Sequence, residues 1–180
     1  MKTIYLAGGC FWGMQKFIDQ FDGVAGTEVG YANGPAKAPS YEEVCRSSGH
    51  AETVKVDYDE EKISLTELLE YYFMVIDPLS VNRQGNDRGI QYRTGIYYSE
   101  AGQLPEIMAV YRREEEKCGV KLAVEVGPLE NFYSAEEYHQ KYLDKNPGGY
   151  CHIPQRYFDM RKEYEETENR PLSLSNERNI

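Results

Sequence analysis

Residues 3–21 read TIYLAGGCFWGMQKFIDQF, and this stretch sets the first elements of the fold. Strand-forming residues come before a pair of glycines. After the pair, large apolar residues recur at the spacing of one helix face, at Met14, Phe17, Ile18 and Phe21. This order predicts a strand over residues 3–6, a tight turn, and a helix over residues 11–21.

The chain continues as a series of short elements. Residues 53–58, TVKVDY, alternate apolar and polar side chains, which indicates a half-buried strand. A serine followed three positions later by a glutamate predicts a capped helix start, and this pattern occurs at Ser40 and Glu43, Ser64 and Glu67, and Ser134 and Glu137. The second box predicts a helix over residues 65–76. The third predicts a helix that ends near residue 144. The other predicted elements are strands over 24–31, 92–98 and 122–126, a helix over 103–117, and a loop over 79–91.

The first six main elements spell β-α-β-β-α-β, the split unit of ferredoxin-like folds. The sequence therefore predicts an α+β fold, a two-layer sandwich with a mainly antiparallel or mixed sheet covered by helices. We expect one domain over residues 1–160. Residues 161–180 are charged and poor in large apolar side chains, which predicts a C-terminal tail or linker.

The composition favours a water-soluble, cytoplasmic protein. The 180 residues carry a formal net charge of −10, which repels nucleic acid and anionic membrane surfaces. No apolar run is long enough to cross a bilayer. LAGGC at 6–10 resembles the end of a lipoprotein signal sequence, but the apolar stretch before the cysteine is too short for one. We therefore expect neither a nucleic acid nor a membrane as a partner.

The four cysteines, Cys10, Cys45, Cys118 and Cys151, are widely spaced. None forms a C-x-x-C pair, and none has a histidine at the spacing of a zinc site, since the adjacent Cys151 and His152 can hardly bind one ion. We expect no metal and no other cofactor. These thiols are also a poor disulfide framework in a reducing compartment, so they are either buried small side chains or redox-active groups.

Cys10 lies where the first predicted strand turns into the first helix. Unpaired N–H groups and the helix dipole favour a thiolate at this position. The alternative is a cysteine that fills a crowded turn. Phe11 and Trp12 are either ordinary core aromatics or part of a pocket. Because two consecutive helix side chains cannot both point inward, at least one should line a surface or a pocket.

Four motifs occur in the order and approximate spacing of the A-type peptide methionine sulfoxide reductases, which the chain resembles: CFW at 10–12, YEEVC at 41–45, GHAET at 49–53 and NRQGNDRGIQYR at 82–93. A further stretch, NPGGYC at 146–151, is similar to the family pattern near the C-terminus. The resemblance extends from residue 3 to about residue 152. Four motifs in register are far more specific than the first alone.

The resemblance implies a role for each matched residue. The cysteine matching Cys10 attacks the sulfoxide sulfur and becomes a sulfenic acid as methionine leaves. The glutamate matching Glu52 donates a proton to the departing oxygen, which requires a raised pKa. The tyrosines matching Tyr41 and Tyr92 donate hydrogen bonds to the sulfoxide oxygen. The residues matching Phe11 and Trp12 form an aromatic wall for the methyl group. The aspartate matching Asp87 binds the substrate backbone or an ordered water.

The resemblance also implies how the enzyme is reset. The cysteine matching Cys151 attacks the sulfenic acid and forms a disulfide, which thioredoxin reduces. Many relatives carry a further cysteine after this one, whereas HIPQRYFDMRK at 152–162 contains none, so we expect one resolving cysteine. Cys45 and Cys118 are expected to be spectators whose positions reflect packing.

The implied substrate is the S epimer of methionine sulfoxide, free or in proteins. The segment from YEEVC to GHAE is one residue shorter than in some relatives, which bears on the placement of Tyr41. CHIP at 151–154 and the charged tail resemble chains in which this domain is fused to a B-type reductase. A B-type reductase, fused or paired, is therefore a further expected partner.

Two other functions remain open on the residues alone. Cys10 could pair with His50 or His139 for acyl transfer, which needs an oriented histidine and an oxyanion hole. The family pattern makes His50 structural instead. A non-catalytic domain could bind methionine or oxidised methionine through Phe11 and Trp12. Neither alternative needs a late resolving cysteine.

Overall fold

A computed structural model of the chain describes residues 1–160. The tail or linker expected at 161–180 lies outside the described residues. Within residues 1–160, no helix combines the length and the apolar character needed to span a bilayer.

The strands are β1 (Lys2–Ala7), β2 (Val24–Ala32), β3 (Ala51–Tyr58), β4 (Arg83–Gln84), β5 (Asp87–Arg88), β6 (Gly95–Tyr98), β7 (Glu125–Pro128) and β8 (Phe132–Ser134). The α-helices are α1 (Phe11–Asp19), α2 (Tyr41–Cys45), α3 (Leu65–Val75), α4 (Leu104–Cys118) and α5 (Tyr142–Lys145). Short 3-10 helices lie at Ile90–Tyr92, Ala101–Gln103, Glu137–His139 and Gln155–Asp159.

Six of these strands form one sheet in the order β7-β6-β1-β3-β2-β8, and β4 pairs with β5 in a separate hairpin. Every pair in the large sheet is antiparallel except β6 with β7. The β-α-β-β-α-β unit supplies its four central strands, β6, β1, β3 and β2. The predicted α+β fold with a mainly antiparallel sheet is confirmed.

The helices cover one face of this sheet. Leu6 of β1 pairs with Val54 of β3, and both side chains are fully buried on that face. Residues of α1, α3 and α4 pack against them in one core cluster, among them Phe17, Leu69 and Ile107. The opposite face carries a smaller cluster of Ala7, Ala32, Ala51 and Tyr97. Because α1, α3 and α4 pack on the same face of the sheet, the fold has the two predicted layers, one of helices and one of strands.

Two of the three predicted capping boxes are present, at Ser40 before α2 and at Ser64 before α3. In each box the serine hydroxyl accepts a hydrogen bond from the backbone N–H of the glutamate three residues later. That glutamate's carboxylate accepts one from the serine N–H. Both helices therefore begin where the sequence places them.

The third predicted box and its helix are wrong. Ser134 ends β8, and its hydroxyl donates to the Glu28 carboxylate. The Gln140 amide bonds the backbone of β2 instead of continuing a helix: Val29 N–H donates to Oε1 at 2.9 Å, and Nε2 donates to Val29 O at 2.8 Å. Lys141 then takes a left-handed φ of 52°. Because these tertiary bonds interrupt the segment, only a 3-10 turn and the short α5 remain.

Other element boundaries shift. The strand expected over 92–98 begins at Gly95, because Ile90–Tyr92 forms a 3-10 turn. The strand expected over 122–126 is displaced to Glu125–Pro128, because the Ala123 N–H donates to Pro78 O at 2.7 Å and pairing with β6 begins only at Glu125. The helix expected over 11–21 ends at Asp19, and the predicted loop at 79–91 contains the hairpin of β4 and β5.

Candidate active site

A glycine pair turns the end of β1 sharply into the start of α1. Gly9 has a φ of 79°, which residues with a side chain rarely adopt. A Cβ on Gly8 would lie 2.7 Å from Ile76 Cγ2 and 2.8 Å from Met14 Cε. The two glycines therefore let the chain turn against the end of α3 and place Cys10 as the N-cap of α1.

The Cys10 thiol is almost fully buried, with a relative exposure of 8%. Burial raises its pKa well above the ordinary value, and the Glu52 carboxyl acts in the same direction. The backbone N–H of Trp12 at the helix start opposes this rise. The expected thiolate is therefore wrong for the free protein. Burial outweighs the helix N-terminus, and the thiol is protonated at neutral pH.

The Glu52 carboxyl lies beside the same helix start. Glu52 is the second residue of β3 and is 2% exposed. Its Oε2 accepts a hydrogen bond from the backbone N–H of Phe11 at 3.1 Å. Burial raises the pKa of Glu52 to about 8, against the lowering effect of the Phe11 N–H. The carboxyl is therefore mostly protonated at pH 7 and can give up a proton next to Cys10.

Tyr41 and Tyr92 lie near this carboxyl. Tyr41 is the first residue of α2, and Tyr92 ends the 3-10 turn before β6. Both side chains are half-buried. Burial raises the pKa of each phenol, and Glu52 acts on both in the same direction. Both hydroxyls stay protonated at neutral pH, so each is a hydrogen-bond donor. The Tyr41 backbone N–H donates to Glu136 Oε1 at 2.8 Å, which holds the start of α2.

Phe11 and Trp12 point in different directions from the start of α1. Phe11 is 1% exposed and packs against Tyr31, with 5.9 Å between the ring centroids. Trp12 is half-buried, and its ring stacks on Tyr142 with a centroid separation of 3.7 Å. One aromatic faces the interior and the other the surface, as consecutive helix positions require.

His139 belongs to the same aromatic cluster, although the sequence singles it out only for acyl transfer. Its ring is 1% exposed and lies 4.6 Å from the Tyr41 ring and 5.2 Å from the Phe11 ring. Its Nδ1 accepts from Trp12 Nε1–H at 3.0 Å, so the ring proton is on Nε2. Burial lowers the pKa of His139, which keeps the ring neutral. The aromatic run YHQKY at 138–142 is the signal that points to this residue.

His50 lies in the loop between α2 and β3 and packs against Gly34 of the loop before α2. The side chain is fully buried, and its Nδ1 lies 3.0 Å from Ser48 Oγ. A Cβ on Gly34 would lie 2.3 Å from the same nitrogen. The lone pair of His139 Nδ1 is already used by Trp12. Neither histidine considered for acyl transfer is therefore oriented toward Cys10 by a hydrogen bond among the described residues.

The hairpin of β4 and β5 carries Asp87 to the C-terminal part of the described chain. The Tyr150 hydroxyl donates to Asp87 Oδ2 at 3.3 Å, and His152 Nδ1 lies 3.9 Å from the same oxygen. Burial raises the pKa of Asp87, which His152 and Tyr150 partly offset. The Gln84 amide fixes the hairpin, because Asp77 N–H donates to Oε1 at 2.8 Å and Nε2 donates to Asp77 O at 2.9 Å.

Cys151 lies against the first turn of α1. A Cβ on Gly13 would lie 2.7 Å from Cys151 Sγ, so the missing side chain makes room for this sulfur. Gly13 follows Cys10 by three positions and shares its side of the helix. Cys151 also contributes to the raised pKa of Cys10. Both cysteines are free thiols. The structure thus brings these two thiols to the same helix start.

The other two cysteines differ in their surroundings. Cys118 ends α4 and packs against the core. Cys45 is exposed at the end of α2, and it acts with burial to raise the pKa of the Tyr41 phenol. Cys45 therefore lies near a candidate site residue, which its sequence position did not indicate. The spectator role of both cysteines stays a prediction.

Two thiols beside a buried proton donor are characteristic of one class of protein, the cysteine-dependent oxidoreductases. A family model described as "Peptide methionine sulfoxide reductase" matches residues 2–170, and the chain belongs to this family. The activity of the family is that of the chain: it is an oxidoreductase that reduces peptide methionine sulfoxide.

Similar proteins support the same assignment. The peptide methionine sulfoxide reductase MsrA of Lachnoclostridium phytofermentans is 55% identical over 162 residues, which cover 89% of this chain and 98% of that protein. The solved structure of Mxr1 from Saccharomyces cerevisiae in reduced form has a TM-score of 0.80 at 40% identity and covers 83% of this chain and 88% of that chain. Mxr1 in complex with Trx2 has a TM-score of 0.56 at 28% identity and covers 78% and 84%, respectively.

Proposed function

We propose that Cys10 is the nucleophile that attacks the sulfoxide and that Glu52 is the proton donor. One observation carries the proposal: a buried carboxyl, with a pKa raised to about 8, is bonded to the N–H of the residue after Cys10. A carboxyl kept neutral at pH 7 can protonate an oxygen as its bond to sulfur breaks. An acid in this position suits sulfoxide reduction, whose leaving oxygen needs a proton.

In the proposed first step, Cys10 Sγ attacks the sulfoxide sulfur while Glu52 protonates the sulfoxide oxygen. The bond between the substrate sulfur and its oxygen breaks as the oxygen passes to Cys10 Sγ as the hydroxyl of a sulfenic acid. The transient bond between the two sulfurs breaks as methionine leaves as a thioether, and the thiol proton restores the Glu52 carboxyl. Cys10 loses the electron pair that the sulfoxide gains, so the step balances without a cofactor.

The remaining candidate residues bind the substrate in this proposal. Tyr41 and Tyr92 donate hydrogen bonds to the sulfoxide oxygen, because both phenols are protonated and lie near the proton donor. Phe11 and Trp12 receive the methyl group, which needs an apolar surface. Asp87 holds the substrate backbone or an ordered water. The substrate is the S epimer, free or in proteins.

Cys151 then attacks the sulfenic acid of Cys10 and forms a disulfide. The position of Cys151 Sγ over Gly13, one turn into α1, supports this role. A thioredoxin reduces the disulfide, which the solved complex of yeast Mxr1 with Trx2 supports by analogy.

The limits of the domain, a further partner and the cellular compartment are also proposed, on the sequence patterns described above. The reductase domain spans residues 1–160 and is followed by a tail or linker, and a B-type reductase is a fused or paired partner. The proposed compartment is the cytoplasm, where thiols are kept reduced.

The activity is tested by incubating the protein with dithiothreitol and separate S and R epimers of a methionine sulfoxide peptide, and by measuring methionine formation. We expect turnover of the S epimer alone, and no turnover of either epimer by the Cys10→Ser control. Turnover of neither epimer by the wild-type chain would contradict the activity, and equal turnover of both would contradict the proposed epimer preference.

A further inference from the structure

We propose that His152 is the base that activates Cys151 for disulfide formation. This role rests on the proposed resolution of the Cys10 sulfenic acid by Cys151. His152 follows Cys151 directly in the chain. The family resemblance assigns no role to His152.

The His152 side chain is buried against the turn that precedes Cys10. It is 6% exposed, and a Cβ on Gly9 would lie 3.0 Å from its Cε1. The neighbouring Cys151 sulfur lies over Gly13. The two side chains thus contact positions 9 and 13, which flank Cys10 in sequence. A proton acceptor, the attacking sulfur and the target sulfur are therefore gathered at one helix start.

Both ring nitrogens of His152 are buried, and neither has a hydrogen-bond partner among the described residues. A buried polar group without a partner is uncommon and calls for an explanation. Asp87 Oδ2 lies 3.9 Å from Nδ1, too far for a hydrogen bond but close enough to stabilise an imidazolium. Nδ1 faces this carboxylate, so Nε2 is the nitrogen left to accept a proton.

Cys151 needs such a base. Burial raises the pKa of its thiol above the ordinary value, whereas a thiolate is the species that attacks. Burial lowers the pKa of His152, and Asp87 opposes that shift as the one charged group that acts on it among the described residues. No hydrogen bond joins His152 Nε2 to Cys151 Sγ in this state, so the proton transfer requires the thiol to turn toward the neighbouring imidazole.

The proposed step balances. The proton of Cys151 Sγ–H passes to His152, and the resulting thiolate attacks Sγ of the Cys10 sulfenic acid. The S–S bond forms as the S–O bond breaks, and the imidazolium returns the proton to the departing hydroxide. One thiol and one sulfenic acid give one disulfide and one water, with no external oxidant or reductant. Asp87 stabilises the imidazolium while it exists.

The test follows a single turnover of His152→Gln and His152→Ala with the S epimer of a methionine sulfoxide peptide and no reductant. Samples are quenched with an alkylating reagent, and methionine and the disulfide are measured separately. We expect about one equivalent of methionine per enzyme in each variant, and disulfide formation slowed about 10²-fold at neutral pH. The slowed rate should rise with pH as hydroxide replaces the base, and added imidazole should restore part of it in His152→Ala.

Disulfide formation at the wild-type rate in His152→Gln, or no effect of imidazole on His152→Ala, would overturn the role of His152. The release of methionine shows that each variant is folded at the site. Cys151→Ser separates the two proposals: a Cys10 disulfide that still forms there would contradict resolution by Cys151 itself. If that variant forms none while His152→Gln behaves as wild type, only the base is wrong.

Discussion

Replacing Glu52 with glutamine should stabilise the fold at neutral pH while it impairs catalysis. Burial raises the pKa of this carboxyl from 4.5 to about 8. Between these two values the unfolded chain releases the proton that the folded chain keeps, so rising pH favours unfolding. The contribution of Glu52 to the free energy of unfolding is therefore fully present below the pKa of Glu52 in the unfolded chain. It falls as pH rises, until pH passes the pKa of Glu52 in the folded chain.

The size of the effect follows from the two pKa values. At about 1.4 kcal/mol per pH unit, the wild-type chain loses about 3 kcal/mol of stability by pH 7 and about 5 kcal/mol above pH 8. Glutamine does not ionise, and its side-chain oxygen can still accept from the Phe11 N–H. Glu52→Gln should therefore exceed the wild type by about 3 kcal/mol in the free energy of unfolding at pH 7.

The assay is urea unfolding of both proteins under reducing conditions at about pH 5.5, 7 and 8.5. The difference between them should grow with pH and level off above about pH 8. Glu61→Gln, which alters an exposed carboxyl in the turn before α3, is the matched control and should show no such trend. A stability difference that stays constant across this pH range would refute the claim that the Glu52 carboxyl is buried and protonated at neutral pH.

Three further variants test the site. Cys151→Ser should lose thioredoxin-driven turnover but release about one equivalent of methionine in a burst assay, because only recycling is removed. Full thioredoxin activity would contradict this. Gly13→Ala places a Cβ 2.7 Å from Cys151 Sγ and should slow disulfide formation in quenched samples by about tenfold or more. Trp12→Phe removes the hydrogen bond to His139 and should lower kcat/KM about tenfold in steady-state assays. Unchanged rates would contradict these contacts.

Local sequence patterns predict the elements that have local causes. Residues 53–58 alternate because β3 has one face in the core, and Ser64 starts α3 because its capping box closes within one turn. The helix expected after Ser134 fails because Gln140 bonds Val29, 111 residues earlier in the chain. No local pattern reveals a bond of that kind.

The candidate site shows the same difference between features that local sequence predicts and features that depend on residues distant in the chain. The motifs identify Cys10 and Glu52, but their protonation states depend on burial between elements that are distant in sequence. A helix start alone favours a thiolate, whereas the folded surroundings of Cys10 favour the thiol. His139 joins the site through Trp12, which lies 127 residues away, and His152 through Asp87 on a separate hairpin. Only the fold brings these partners together.

The most direct measurement of the redox cycle is a peptide map after one turnover. The protein is mixed with the S epimer of a methionine sulfoxide peptide without reductant, alkylated, digested and analysed by mass spectrometry. We expect one disulfide between Cys10 and Cys151 for each methionine released, with Cys45 and Cys118 alkylated. Methionine release that leaves Cys10 alkylated as a free thiol, or that joins Cys10 to Cys45, would contradict attack by Cys10 and resolution by Cys151.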